Sequence, residues 1–234
     1  MQNRIGEFVK DLSDVYYQIV SRNESSYPIT ISDVKVFSQY FKINPDDQSQ
    51  NDFITQRIKM DVNNFEDETK YILLDTTFKL YYNDPRTSYF GNYIQNYPAK
   101  CFLNGLRLSS LNLRLIDHIK YYELNTKDND DRVLLSSSNY YLEPELMNTP
   151  SIIRIKENNS FELANTNNSI EIQYKAGFAN NVFTSMPEEI KIALAQLVAY
   201  NIDVKNQICN DQYSDNIRAI YDKYRKFNIT QFIY

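Results

Sequence analysis

The apolar period changes twice along this chain, and that constrains its fold more than any other feature. Three- and four-residue spacings mark both ends, whereas alternation and β-branched or aromatic runs mark the middle. Ile5, Phe8, Val9, Leu12, Val15, Tyr16 and Ile19 share one face of a first expected helix over residues 1–20. A polar stretch ending in Pro28 breaks it. Thr30 or Ser32 can cap a second helix carrying Val34, Phe37 and Phe41, and Asn44-Pro45 stops it. A third helix is expected from about Gln50 to Phe65, with Ile54, Ile58, Val62 and Phe65 inward.

From about Lys70 to Tyr174 the sequence favours strands, at residues 71–74, 78–82, 101–103, 111–115, 119–124, 152–155 and 170–174. The alternation of Leu111, Leu113 and Leu115 predicts a half-buried strand. Helical spacing then returns. Ser185-Met-Pro-Glu188 has the form of a capping box, and Ile190, Ala193, Leu194, Leu197, Val198 and Ile202 form an apolar stripe. A last helix carries Tyr213, Ile217, Ile220, Tyr221 and Tyr224. The pattern predicts an α+β fold, a bundle of N-terminal and C-terminal helices with a β-rich insertion between them. One domain spans 1–234: a helical extension over 1–28, a helical core over 29–69 and 185–227, the insertion over 70–184, and a tail over 228–234.

Little in this chain suggests catalysis. Four glycines in 234 residues argue against a phosphate-cradling loop, and no Gly-rich nucleotide motif appears. His118 is the only histidine, and Cys101 and Cys209 are the only cysteines, so no ordinary zinc site can be assembled. Asp117 adjoins His118, but neighbours on a regular strand face opposite ways. Asp128, Asp130 and Asp131 lack the glycine and closing glutamate of a calcium loop. The cysteines read as reduced, buried small hydrophobes. No catalytic residue, metal or cofactor is expected, and the chain is not expected to be an enzyme. Residues 1–10 lack a secretory pattern, and no apolar run is long enough to span a membrane, so synthesis in a cytoplasm is expected. A net charge of −5 without an evident basic patch argues against a duplex-gripping protein.

Two features point to binding surfaces instead. The chain has 20 Tyr and no Trp, and Tyr89, Tyr93 and Tyr97 punctuate a Tyr- and Asn-rich loop after Tyr81-Tyr82. The carboxyl terminus carries Phe227, Ile229, Phe232, Ile233 and Tyr234, an apolar end that needs a partner on its own body or another chain.

The stretch Ile170-Glu-Ile-Gln-Tyr-Lys-Ala-Gly-Phe178, a short loop, then Met186-Pro-Glu-Glu-Ile-Lys-Ile-Ala-Leu-Ala resembles the head-to-tail connector (adaptor) family of tailed phages. Tyr174, Ala176, Gly177, Phe178, Pro187, Ile190 and Ala193 match its pattern of a strand, a Tyr-x-Ala-Gly-aromatic turn and a proline-started helix. The segment Ile29-Thr-Ile-Ser-Asp-Val-Lys35 is similar to the family's first helix, and the likeness covers roughly residues 29–205. The N-terminal extension and long middle look similar to enlarged ring proteins of short-tailed, crAss-like phages. The resemblance implies a structural virion protein of the neck between capsid and tail, with about twelve copies in a ring. The ring would bind the portal protein, touch other connector or tail rings, and let DNA pass without specific binding. On that reading the apolar end, residues 227–234, is expected to dock on the portal, and Tyr89, Tyr93 and Tyr97 of the Tyr-rich loop to meet a neighbouring subunit or ring. The other reading of the Tyr excess is a soluble carbohydrate- or receptor-binding β module of a tail.

Overall fold

The computed structural model describes residues 9–10, 15–82, 106–108, 112–123, 132–143, 151–156, 169–208 and 214–224. The fold is α+β and divides into a helical unit (23–74 and 178–227) and a β unit (1–22, 75–177 and 228–234). The β unit is thus inserted into the chain path of the helical unit.

The helical unit comprises α1 (Ile31–Phe37), α2 (Gln39–Ile43), α3 (Asn51–Thr69), α4 (Glu188–Lys205) and α5 (Ser214–Tyr224). α4 packs against all four of the others. Ile54, Ile58, Val62 and Phe65 of α3 meet Ile190, Leu194, Val198 and Ile202 of α4 in one buried core. Each such side chain contributes about 1.5–3 kcal/mol relative to exposure. Phe65 receives the ring edge of Tyr221 from α5, with centroids 5.2 Å apart.

Thr30 caps α1 in a reciprocal box with Asp33. The expected box at α4 is not formed. Pro187 takes the N-cap position without a side-chain bond, and Ser185 lies in the preceding turn. Proline cannot donate a backbone hydrogen bond, so the helix starts one residue after it with no donor lost. Glu189, in the first turn, instead accepts from Lys223 of α5 at 2.6 Å and from the Tyr224 hydroxyl.

Residues 71–74 do not form a strand. Leu73 and Leu74 are fully buried in the helical core, and their amides donate to the Glu66 carboxylate at 2.7 and 2.9 Å. An apolar run of four is consistent with strand or buried loop, and here one buried carboxylate stands in for a ladder partner.

The β unit carries two antiparallel sheets. Strands β1 (Val9–Lys10), β2 (Val15–Arg22), β3 (Thr76–Tyr82), β5 (Leu113–Tyr121), β6 (Val133–Leu134) and β9 (Ile170–Ala176) form the larger, in the order β1-β2-β3-β9-β5-β6. The smaller has β4 (Leu106–Arg107), β8 (Ile152–Ile155) and β7 (Tyr140–Glu143), in the order β4-β8-β7. The expected first helix is therefore overturned: 15–22 is a strand, paired with β3. Val, Ile and Tyr are stronger strand formers than helix formers. Pairing Tyr17 with Leu80 and Ile19 with Phe78 decides the matter. Likewise 111–115 and 119–124 do not give two strands; one bulged strand, β5, spans Leu113–Tyr121.

Asparagine does much of the turning in this glycine-poor chain. Asn112, Asn180 and Asn181 take φ of 61°, 52° and 55°, a region that asparagine tolerates better than most residues. The Asn181 side-chain amide donates to the Asn23 and Ser26 carbonyls at 2.8 and 2.9 Å.

Candidate functional site

Strand pairing gives the larger sheet one apolar and one polar face. Phe78, Leu80, Ile119, Ile172 and Tyr174 are buried on the first, where Phe78 and Tyr174 stack with centroids 5.3 Å apart. On the second, Lys79 of β3, Glu171, Gln173 and Lys175 of β9, and His118 and Lys120 of β5 fall in register.

A bulge between Ile116 and His118 inserts Asp117 as an extra residue. The alternation expected for Asp117 and His118 therefore fails. Asp117 accepts from Gln173 at 3.2 Å and faces Lys175 at 3.6 Å, while His118 meets Glu171 at 3.0 Å. Both side chains thus serve one face.

Glu171, only 5% exposed, is the centre of this face. One carboxylate oxygen takes His118 at 3.0 Å and Lys79 at 3.6 Å; the other takes Arg132 at 3.1 Å. The Arg132 guanidinium lies over the rings of Tyr122 at 4.6 Å and Tyr81 at 5.5 Å. Burial pushes the Glu171 carboxyl up, but the His118 hydrogen bond and the charges of Lys79 and Arg132 outweigh it and hold it below its ordinary value. Tyr81 is pushed up by burial and by the Glu171 charge. The carboxylate is therefore matched by cations and fixed, as suits an ion-pair network joining three strands and the residue before β6. Among the described residues, no group of three or more His, Cys, Asp and Glu could hold a metal ion.

The face also gathers a basic patch that the sequence conceals. Lys79, Lys120, Arg132 and Lys175 lie far apart along the chain. Against them stand two carboxylates, Glu171 and Asp117, leaving a surplus of two positive charges in a chain of net charge −5.

The fold is shared with chains of gene transfer agent particles. A chain from the virion of the native particle matches with a TM-score of 0.63 at 13% identity, covering 91% of this chain and 96% of that one. A chain from the neck of the native particle, computed with C12 symmetry, matches with a TM-score of 0.52 at 13% identity over 90% and 97%. A third, from the neck of the empty particle computed with C6 symmetry, gives 0.55 at 12% identity over 90% and 97%. No protein-family model and no curated protein matches the chain.

Of the residues singled out by sequence, Tyr174, Gly177, Phe178, Pro187, Ile190 and Ala193 all fall within the described residues. Gly177 takes a φ of 85° that glycine adopts without strain, and its amide donates to the Asn112 carbonyl at 3.0 Å. The Phe178 amide donates to Leu73 at 3.0 Å, and its ring meets Phe183 edge-on. Ile190 and Ala193 are buried on α4. Phe227, Ile229, Phe232, Ile233, Tyr234, Tyr89, Tyr93 and Tyr97, with Cys101, Cys209, Asp128, Asp130 and Asp131, lie outside the described residues.

Sequence reasoning missed three buried carboxylates of the helical unit: Glu66, described above, Asp203 and Asp61. Asp203 on α4 accepts from the Ser38 hydroxyl at 2.6 Å and from the Gln39 and Tyr40 amides at 3.0 Å each. It caps α2 from another helix. Asp61 accepts from Arg57 at 3.0 Å and from Asn201 at 3.3 Å. The only sequence signal was an acidic residue on an otherwise apolar helix face.

Proposed function

We propose that this chain is a non-enzymatic structural subunit of a particle neck: a connector (adaptor) ring that binds the portal and extends the DNA channel towards the tail. One observation carries the reading. The fold corresponds, over nine-tenths of this chain, to nearly whole chains of particle and neck assemblies. The Tyr-x-Ala-Gly-aromatic turn and the proline-started helix support it from the sequence side. The symmetry of the neck assemblies, C12 and C6, suits a homo-oligomeric ring of about twelve copies closed by rotation. Such a ring would carry about −60 in formal charge, which discourages DNA from sticking as it passes.

Within this reading, Phe227, Ile229, Phe232, Ile233 and Tyr234 dock on the portal, and Tyr89, Tyr93 and Tyr97 meet a neighbouring subunit or ring. The protein would be made in the host cytoplasm and end in the virion neck. The test is the mass of the purified chain with and without the portal ring of the same particle. Uptake of about twelve copies per portal is the expected result. A chain that stays apart from the portal and instead binds glycans would overturn it in favour of a receptor-binding module.

A further inference from the structure

The polar face of the larger sheet is not only cationic. Leu115 and Leu134 lie in register with Lys175 and Lys120, and their side chains are 53% and 62% exposed. Lys175 is 40% exposed. A phosphodiester backbone would satisfy the cations but leave two leucines in water. A surface combining carboxylates with an apolar side chain satisfies both.

The same chain carries such a surface. On α3, Asp52, Gln56, Met60, Asn64 and Asp67 recur at three- and four-residue spacing and are all exposed, Met60 at 53%. The stripe is about 22 Å long at the helical rise. The sheet face runs about 14 Å along β9 between the levels of Glu171 and Lys175, so the stripe can overlie it. The basic residues near the stripe are matched locally, Lys59 by Glu24 and Arg57 by Asp61. In the helical unit, 15 carboxylates outnumber 11 Lys and Arg.

We infer that the cationic, leucine-bearing face of the β sheet docks onto the Asp52–Met60–Asp67 stripe of α3 in a second copy of the chain. The two surfaces differ, so the contact is head-to-tail. That is the type of contact that closes a ring by rotation or extends a filament. This inference rests on the ring reading above and supplies the contact between its subunits. The opposite charges set orientation and on-rate, while the leucines and Met60 supply apolar burial.

Two surface variants of the full chain test it by sedimentation velocity: Lys120→Glu with Lys175→Glu, and Asp52→Lys with Asp67→Lys. The concentrated wild-type chain should self-associate at low salt and dissociate as salt rises. Each variant alone should associate about a hundredfold more weakly, because like charges then face each other. Mixing the two variants should restore association, since each presents a face complementary to the other. Circular dichroism matching wild type shows that both variants are folded. The inference fails if the wild-type chain does not self-associate, if either variant associates as wild type does, or if the mixture stays apart. Uptake by the portal is scored separately. Portal binding without charge rescue overturns only this contact, whereas charge rescue in a chain that ignores the portal overturns only the neck reading.

Discussion

Replacing Asp203 by alanine should destabilise the joint between α4 and the start of α2. The carboxylate is fully buried and holds three donors, the Ser38 hydroxyl at 2.6 Å and the Gln39 and Tyr40 amides at 3.0 Å. α2 has only five residues and no side-chain cap of its own, so it cannot supply these acceptors internally. The Ser38 hydroxyl, fully buried, loses its acceptor. A buried donor left unsatisfied costs about 1–3 kcal/mol, and hydrogen bonds to a charged group contribute about 1.5–3 kcal/mol each. Partial rescue of the half-exposed amides by water reduces the total to about 3–6 kcal/mol. For a chain of this size, roughly 2–4 °C per kcal/mol translates this into a Tm lower by roughly 10 °C. Thermal unfolding followed by helical circular dichroism measures it. Asp203→Asn keeps one acceptor oxygen and should fall between the two. An alanine variant within about 0.5 kcal/mol of wild type, a change typical of surface sites, would refute the capping role.

Two further outcomes follow from the same geometry. Glu171 is held below its ordinary value in the folded chain, so its contribution to stability is present above the ordinary carboxylate range and is lost as pH falls through the folded value. Glu171→Gln should therefore be less stable than wild type near neutrality, with the gap closing on acidification; urea unfolding across that range would show a pH-independent gap if the ion pairs contribute nothing. Thr30→Ala removes the reciprocal cap of α1 and should cost about 1 kcal/mol, read as a midpoint shift in urea, whereas an unchanged midpoint would mean the cap is redundant.

Much of the helical unit was legible in the sequence. The face of Ile54, Ile58, Val62 and Phe65 on α3 is buried as its spacing predicts, and Thr30 caps α1. These succeed because a helix is closed by local bonds, so period and cap residues lie within a few positions of each other. The first expected helix fails for the opposite reason. Residues 15–20 satisfy both a helical spacing and a strand composition, and the partner that decides between them, β3, begins at Thr76.

The charged face shows the same division. Residues 79, 118, 120, 132, 171 and 175 carry no common spacing, and the Asp117 bulge cancels the alternation rule where it mattered most. By itself the sequence determined the α+β class and the positions of the main helices, because composition and local period suffice for those. Only the tertiary structure decided that the chain's start joins a sheet, that Asp203 caps a distant helix, and that dispersed cations share one face. Each depends on register between segments up to 165 residues apart, which no local pattern encodes.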